Sequence, residues 1–179
     1  CSTNAIIHLI AMARRAGIRL TMDDLDKKGR LIPLLANIRP SGNDYLMEDF
    51  FYAGGILSLM NSLADKLNLE EITVTGSKLG EIIDGKETLN RDIIRSLDNP
   101  IYKEGSLAVL KGNLAPDGCV IKPAACDKKF LKHKGPAIVF NSYPDMKKII
   151  DSDELDVTEN HVLVLRNVGP VGGPGMPEW

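Results

Sequence analysis

The chain has 179 residues, of which 44% are hydrophobic and 26% charged, with a net charge of −2. That composition describes globular protein, one domain or parts of two, and excludes a disordered polymer. It leaves no overall charge to draw nucleic acid or an anionic membrane surface. No apolar run approaches the ~18–20 residues of a membrane span. Cysteines at only positions 1, 119 and 126 make no disulfide framework and suit a reducing, cytoplasmic compartment.

Residues 2–16 read as a helix, because Ile6, Leu9, Ile10 and Ala13 recur on one face of a 3.6-residue period. Ser2, Thr3 and Asn4 are residue types that cap a helix start, and Gly17 is suited to stop it. Thr21 before Met22-Asp23-Asp24 predicts a second cap on a short helix. Residues 31–38 form a short apolar stretch that ends at the turn Arg39-Pro40-Ser41-Gly42. Residues 45–67 read as one long helix through Phe50, Gly54, Leu57, Met60, Ala64 and Leu67. The pair Gly54-Gly55 inside it would cost ~1 kcal/mol each relative to Ala, which suggests that another backbone passes close by. Residues 72–74 read as a strand and 79–83 as a short helix.

After about residue 90 the pattern changes to short strand-like runs at 107–110, 120–121, 137–140 and 162–165, separated by turns such as Pro116-Asp117-Gly118. One helix, roughly 144–150, interrupts them. The expectation is a helical α/β segment at 1–95 followed by a mostly β segment at 96–179, with Asn99-Pro100 near the change. The opening on Cys1-Ser2-Thr3-Asn4 without an initiator Met, and the close on a Gly/Pro loop ending at Trp179, suggest a piece of a longer protein.

Few residues carry distinctive chemistry on their own. Glu178, on a glycine- and proline-rich loop after a strand, could ligate a hard cation such as Mg²⁺, or be an exposed surface glutamate. Cys119, Cys126 and His133 are spaced by seven, whereas zinc ligands pair two to four apart, so they read as small packing thiols and a surface histidine. Lys128-Lys129-Phe130-Leu131-Lys132-His133-Lys134 reads as a solvated edge or loop rather than a phosphate site. His8 reads as structural. The glycines at 169–175 match neither the dinucleotide fingerprint nor the P-loop.

Four stretches together resemble the iron–sulfur-dependent dihydroxy-acid and sugar-acid dehydratases. They are Cys1-Ser2-Thr3-Asn4-Ala5 with Ile6-Ile7-His8-Leu9; Arg39-Pro40-Ser41-Gly42 with Met47-Glu48-Asp49-Phe50 and Ala53-Gly54-Gly55; residues 105–122 around Lys111-Gly112-Asn113-Leu114-Ala115-Pro116-Asp117-Gly118; and Gly172-Gly173-Pro174-Gly175-Met176-Pro177-Glu178. They run through the whole chain in the family's order.

The resemblance implies the end of an N-terminal α/β domain (1–95) followed by the start of a C-terminal β-barrel-like domain (96–179), with the parent's active site between its two domains. It implies a hydro-lyase that removes water from a 2,3-dihydroxy acid to give a 2-keto acid, with an iron–sulfur cluster (2Fe–2S, or 4Fe–4S in some members) acting on the departing hydroxyl and Mg²⁺ on the carboxylate end. Glu178 matches the family's Mg²⁺-ligating glutamate, and Ser2, Thr3 and Asn4 match a signature assigned loosely to substrate binding. The cluster cysteines, the other Mg²⁺ ligands and the proposed catalytic serine would lie outside this chain, so no catalytic residue is expected within it. Val171 stands where a Lys is common. Met47-Glu48-Asp49-Phe50 and Pro177-Glu178-Trp179 resemble the aldonate dehydratases, which makes a small sugar acid the expected substrate; the alternative is the branched-chain dihydroxy-acid dehydratase. A homodimer or homotetramer is expected, without nucleic-acid or membrane partners. A reading from another class is that the chain alone is a non-catalytic structural or oligomerisation module.

Overall fold

The computed structural model describes residues 2–168, which fall in two compact units, residues 1–127 and 128–179. Helices and small two-stranded sheets mix in both, which is α/β in character. A barrel-like arrangement of the later strands is not among the described features.

In the first unit α1 (Thr3–Arg15) and α2 (Met22–Arg30) lie where the sequence places them. Gly17, at φ +73°, ends α1 as expected. Thr21 forms the expected cap of α2 reciprocally: its Oγ1 accepts from Asp24 N (3.2 Å), while Thr21 N donates to Asp24 Oδ2 (3.0 Å). The Asp24 carboxyl is held below its ordinary pKa first by the Thr21 hydroxyl, which donates to Asp24 Oδ2 (2.6 Å), and then by Thr21 N. The predicted apolar face of α1 is covered only in part. Ile6 is buried and Ile10 and Ala13 are half-buried, whereas Leu9 is 43% exposed.

The centre of this unit is the extended segment at 34–38. Its two edges are occupied by different parts of the chain, with bridges from Leu34 to Tyr102, Ala36 to Ile94 and Ile38 to Tyr45. Asn37 N donates to Ile93 O (2.7 Å) and Arg95 N to Leu35 O (2.9 Å). Around it pack Phe50, Ala53, Ile93 and Ile94, with Ala36, Ile38, Tyr45 and Leu59 against them. Leu35 and Ile94 are almost wholly buried.

The long helix expected at 45–67 is not continuous. It is divided into α3 (Met47–Tyr52), α4 (Gly55–Ser62) and a 3₁₀ turn at Ala64–Lys66. The break lies at Gly54 (φ +112°) and Gly55 (φ +63°), conformations that L side chains rarely adopt. The close backbone suggested by this pair is present: Glu87 O lies 3.1 Å from where a Gly54 Cβ would stand. The same strip of chain is fastened to both helices, through Leu89 N to Ala53 O (3.0 Å) and Asn61 Nδ2 to Lys86 O (3.1 Å). The strand expected at 72–74 is also corrected. Ile72 makes a single bridge to Lys78 in a tight reversal, and both Ile72 and Val74 are exposed, so no neighbouring strand stabilises an extended run. The short helix α5 (Leu79–Ile83) forms as expected.

β1 (Ala108–Leu110) and β2 (Cys119–Ile121) form an antiparallel hairpin with Val109 opposite Val120. The hairpin is tied to α2 by Val109 N donating to Asp26 Oδ1 (2.8 Å) and by an exposed Lys111–Asp23 pair (2.8 Å).

The second unit is a β–α–β arrangement: β3 (Ala137–Phe140), α6 (Tyr143–Ile149) and β4 (Val162–Leu165). β3 and β4 are parallel, with Ala137 opposite Val162 and Phe140 opposite Leu165. Parallel pairing requires a crossover between the strands, which α6 provides. Ser142 Oγ caps α6 by accepting from Asp145 N (3.2 Å).

Candidate functional site

The first unit contains a cleft of about 810 Å³, lined by parts of α1, α2, α3 and α4, the 32–41 segment, and the β1–β2 hairpin with its approach. Most of its wall is aliphatic or aromatic, including Ile6, Leu25, Leu35, Phe50, Leu59 and Val109. Its polar lining comprises Ser2, Asp26, Lys28, Ser106 and Lys122, together with Arg39 and Ser41 of the turn Arg39-Pro40-Ser41-Gly42.

That turn is built from Asn37. The buried Asn37 amide donates to Asp44 Oδ2 and to Asp92 O, both at 3.3 Å, and Gly42 N donates to Ile38 O (2.8 Å). A Cβ on Gly42 would collide with Asn37 Oδ1 and stand 2.6 Å from the Asn37 carbonyl carbon, so only glycine fits there. The Arg39–Pro40 peptide is cis. Arg39 Nε donates to Asn43 O (3.0 Å), and Arg39 remains exposed. Ser41 is buried, and its hydroxyl has no hydrogen-bond partner. The sequence contained this turn as a motif but gave no sign that the Ser41 hydroxyl would be orphaned, because the solvation of a side chain depends on its tertiary surroundings.

Among the residues nominated from the sequence, Ser2 is the N-cap residue of α1 and lines the cleft, but its side chain makes no capping hydrogen bond. Thr3 and Asn4, in the first turn of α1, are partly buried. Glu178 lies outside the described residues, as do Cys1 and the glycine-proline loop. Cys119 is exposed and Cys126 half-buried. In the second unit Lys128–Phe130 is a 3₁₀ turn in a loop, with Lys129 stacked 4.7 Å over the Phe130 ring, and His133 Nε2 lies 3.0 Å from Asn160 O. These positions agree with solvated roles for the basic run.

Asp26 is the acid in the cleft lining. Its carboxyl is held below its ordinary pKa, first by the bond from Arg30 Nε (2.8 Å) and then by Val109 N, so it is a weak base with both oxygens engaged. Among the described residues, no group of three or more His, Cys, Asp or Glu side chains is arranged to hold a metal ion. No helix of the described residues is long and apolar enough to cross a membrane.

Comparison with known proteins places these observations in a family. Residues 1–82 match the model of the dihydroxy-acid/6-phosphogluconate dehydratase N-terminal region, and residues 92–179 match that of its C-terminal region. The chain belongs to this dehydratase family. It is 48% identical to 6-deoxy-6-sulfo-D-gluconate dehydratase of Pseudomonas putida, over 99% of this chain and 31% of that protein. It is 44% identical to L-arabinonate dehydratase of Rhizobium leguminosarum bv. trifolii, with the same coverage of each. It is 43% identical to dihydroxy-acid dehydratase 1 of Methanosarcina acetivorans, over 99% of this chain and 32% of that protein. The chain thus spans about a third of the length of these relatives.

Proposed function

We propose that the polypeptide to which this chain belongs is a hydro-lyase that dehydrates a sugar acid (an aldonate) to the 2-keto-3-deoxy acid. The observation that carries this reading is the 48% and 44% identity, across nearly the whole chain, to relatives named as sulfogluconate and arabinonate dehydratases. Met47-Glu48-Asp49-Phe50, which forms the first part of α3, is the aldonate-like stretch within the described residues. The cofactors of the reading are an iron–sulfur cluster, 2Fe–2S, and Mg²⁺, with Glu178 as one Mg²⁺ ligand. By the family resemblance, the remaining ligands and the catalytic base are assigned to parts of the polypeptide beyond this chain. The domain division of the reading is 1–95 and 96–179, the later part contributing to a β-barrel-like domain, in a homodimer or homotetramer within the cytoplasm. Ser2, Thr3 and Asn4 are assigned to the substrate side, supported by the place of Ser2 in the cleft wall and by its lack of a capping bond.

The dihydroxy-acid dehydratase reading is supported by the 43% identity to the archaeal relative. Turnover of arabinonate and xylonate, measured against dihydroxyisovalerate with the intact polypeptide, separates the two. Preference for dihydroxyisovalerate overturns the sugar-acid reading. Glu178→Ala is expected to abolish turnover and Mg²⁺ dependence; a near wild-type rate refutes its role as ligand.

A further inference from the structure

Two polar residues of the cleft wall come from the same end of the β1–β2 hairpin. Lys122 follows β2 directly, next to Ile121, which pairs with Ala108. Ser106 lies on the approach to β1, shortly before Ala108, and both residues line the cleft. Backbone contacts fix their place. Val109 N is bound to Asp26 Oδ1 at 2.8 Å, and a Cβ on Gly105 would collide with Gly29 O, so this end of the hairpin lies tight against α2.

Ser106 is only 6% exposed, yet its side chain makes no hydrogen bond among the described residues. The Ser41 hydroxyl is sealed off in the same wall, whereas that of Ser106 is not. Lys122 is half-buried and also has no ion-pair or hydrogen-bond partner among the described residues. A cation withdrawn from water is ordinarily paired, because the lost hydration must be replaced. The other charges of the wall do not supply that partner. Asp26 is engaged by Arg30 and by Val109 N, Lys28 is exposed, and Arg39 is exposed with its Nε on Asn43 O. Around these groups the wall is aliphatic, with Ile6, Leu25, Leu35 and Val109.

We propose that the Lys122–Ser106 end of the cleft is a carboxylate-binding subsite for an organic acid with an aliphatic body. Lys122 supplies the charge, Ser106 a hydroxyl donor, and the apolar wall holds the carbon chain. A polyhydroxylated body fits less well, since each hydroxyl set against aliphatic wall loses its bonds to water. The inference goes beyond the hydro-lyase reading, and neither the aldonate assay nor the Glu178 variant bears on it.

The test is calorimetric titration of the intact polypeptide with 3-methylbutanoate, beside 3-methylbutan-1-ol and inorganic phosphate. Saturable binding of 3-methylbutanoate is expected, about ten-fold or more tighter than that of either control. Lys122→Met, which keeps the length of the side chain and removes its charge, is expected to weaken it by about ten-fold or more, and Ser106→Ala by about three-fold. Lys122→Arg, which keeps the charge, is expected to stay within about three-fold of the unmodified protein, and an unchanged urea midpoint in each variant shows that it is folded. Absence of saturable binding overturns the proposal, as does equal affinity in Lys122→Met or equal loss in Lys122→Arg. Equal binding of the alcohol overturns it in favour of a purely apolar cleft, and equal binding of phosphate in favour of an inorganic oxyanion site.

Discussion

A methyl group at position 42 would meet both the side chain and the backbone of Asn37, which is itself fixed by Asp44 and Asp92 and cannot move aside. Gly42→Ala is therefore expected to destabilise the first unit by roughly 1–3 kcal/mol, the usual range for overpacking, as a shift in urea midpoint. The Arg39–Gly42 turn is readable as a turn from its residues, but its dependence on Asn37 is not, since Asn37 reads as part of an apolar run. Asp26 is a second such case. Removal of its carboxylate in Asp26→Ala leaves Val109 N without its acceptor, a loss of about 1 kcal/mol. Its carboxyl ionises more readily in the folded chain than its ordinary 3.8, so it adds stability above that pH which is lost as the pH falls through the lowered folded value. Acid titration of unfolding should therefore show stability declining below about pH 4, less steeply in Asp26→Asn. An unchanged acid limb would refute the coupling.

At the scale of elements, the local signals succeeded where one segment contains its own reasons. The Thr21–Asp24 cap and the Gly17 stop each satisfy backbone groups within a few residues, and each is legible in sequence. The long helix at 45–67 failed for a complementary reason. Its apolar spacing continues across Gly54-Gly55, but both glycines adopt positive φ there, with Glu87 O close against Gly54. Gly54→Ala meets the Ser58 side chain at 2.6 Å in a left-handed backbone, so a loss of about 1–3 kcal/mol is expected, seen as a lowered Tm. If Gly54→Ala instead stabilises and raises helix content by circular dichroism, the break is not enforced by packing. Leu35→Ala, in the segment enclosed on both edges, should cost about 2–5 kcal/mol by loss of buried volume.

For the whole molecule, family membership and the order of the two family regions follow from motifs distributed over the chain, while the chain spans about a third of the length of its relatives, so the activity remains the proposal made above. The 179-residue chain alone is expected to show neither iron–sulfur absorbance nor dehydratase turnover, because the proposed reading assigns the cluster cysteines and the catalytic base to other parts of the polypeptide. Visible spectroscopy after anaerobic reconstitution and an aldonate assay check this, and a positive result in both would refute the assignment of the remaining ligands. The sequence by itself determined the family, the mixed helical and strand character, and those caps and turns whose partners lie within one or two turns of chain, because short-range hydrogen bonding is encoded locally. Only the tertiary structure decided that 34–38 is the centre of the first unit, that Gly54 breaks a helix, and that Ser41 is buried without a partner beside an open apolar cleft. Each of those depends on which distant segment arrives next to it, and burial is a property of that arrival rather than of the residue.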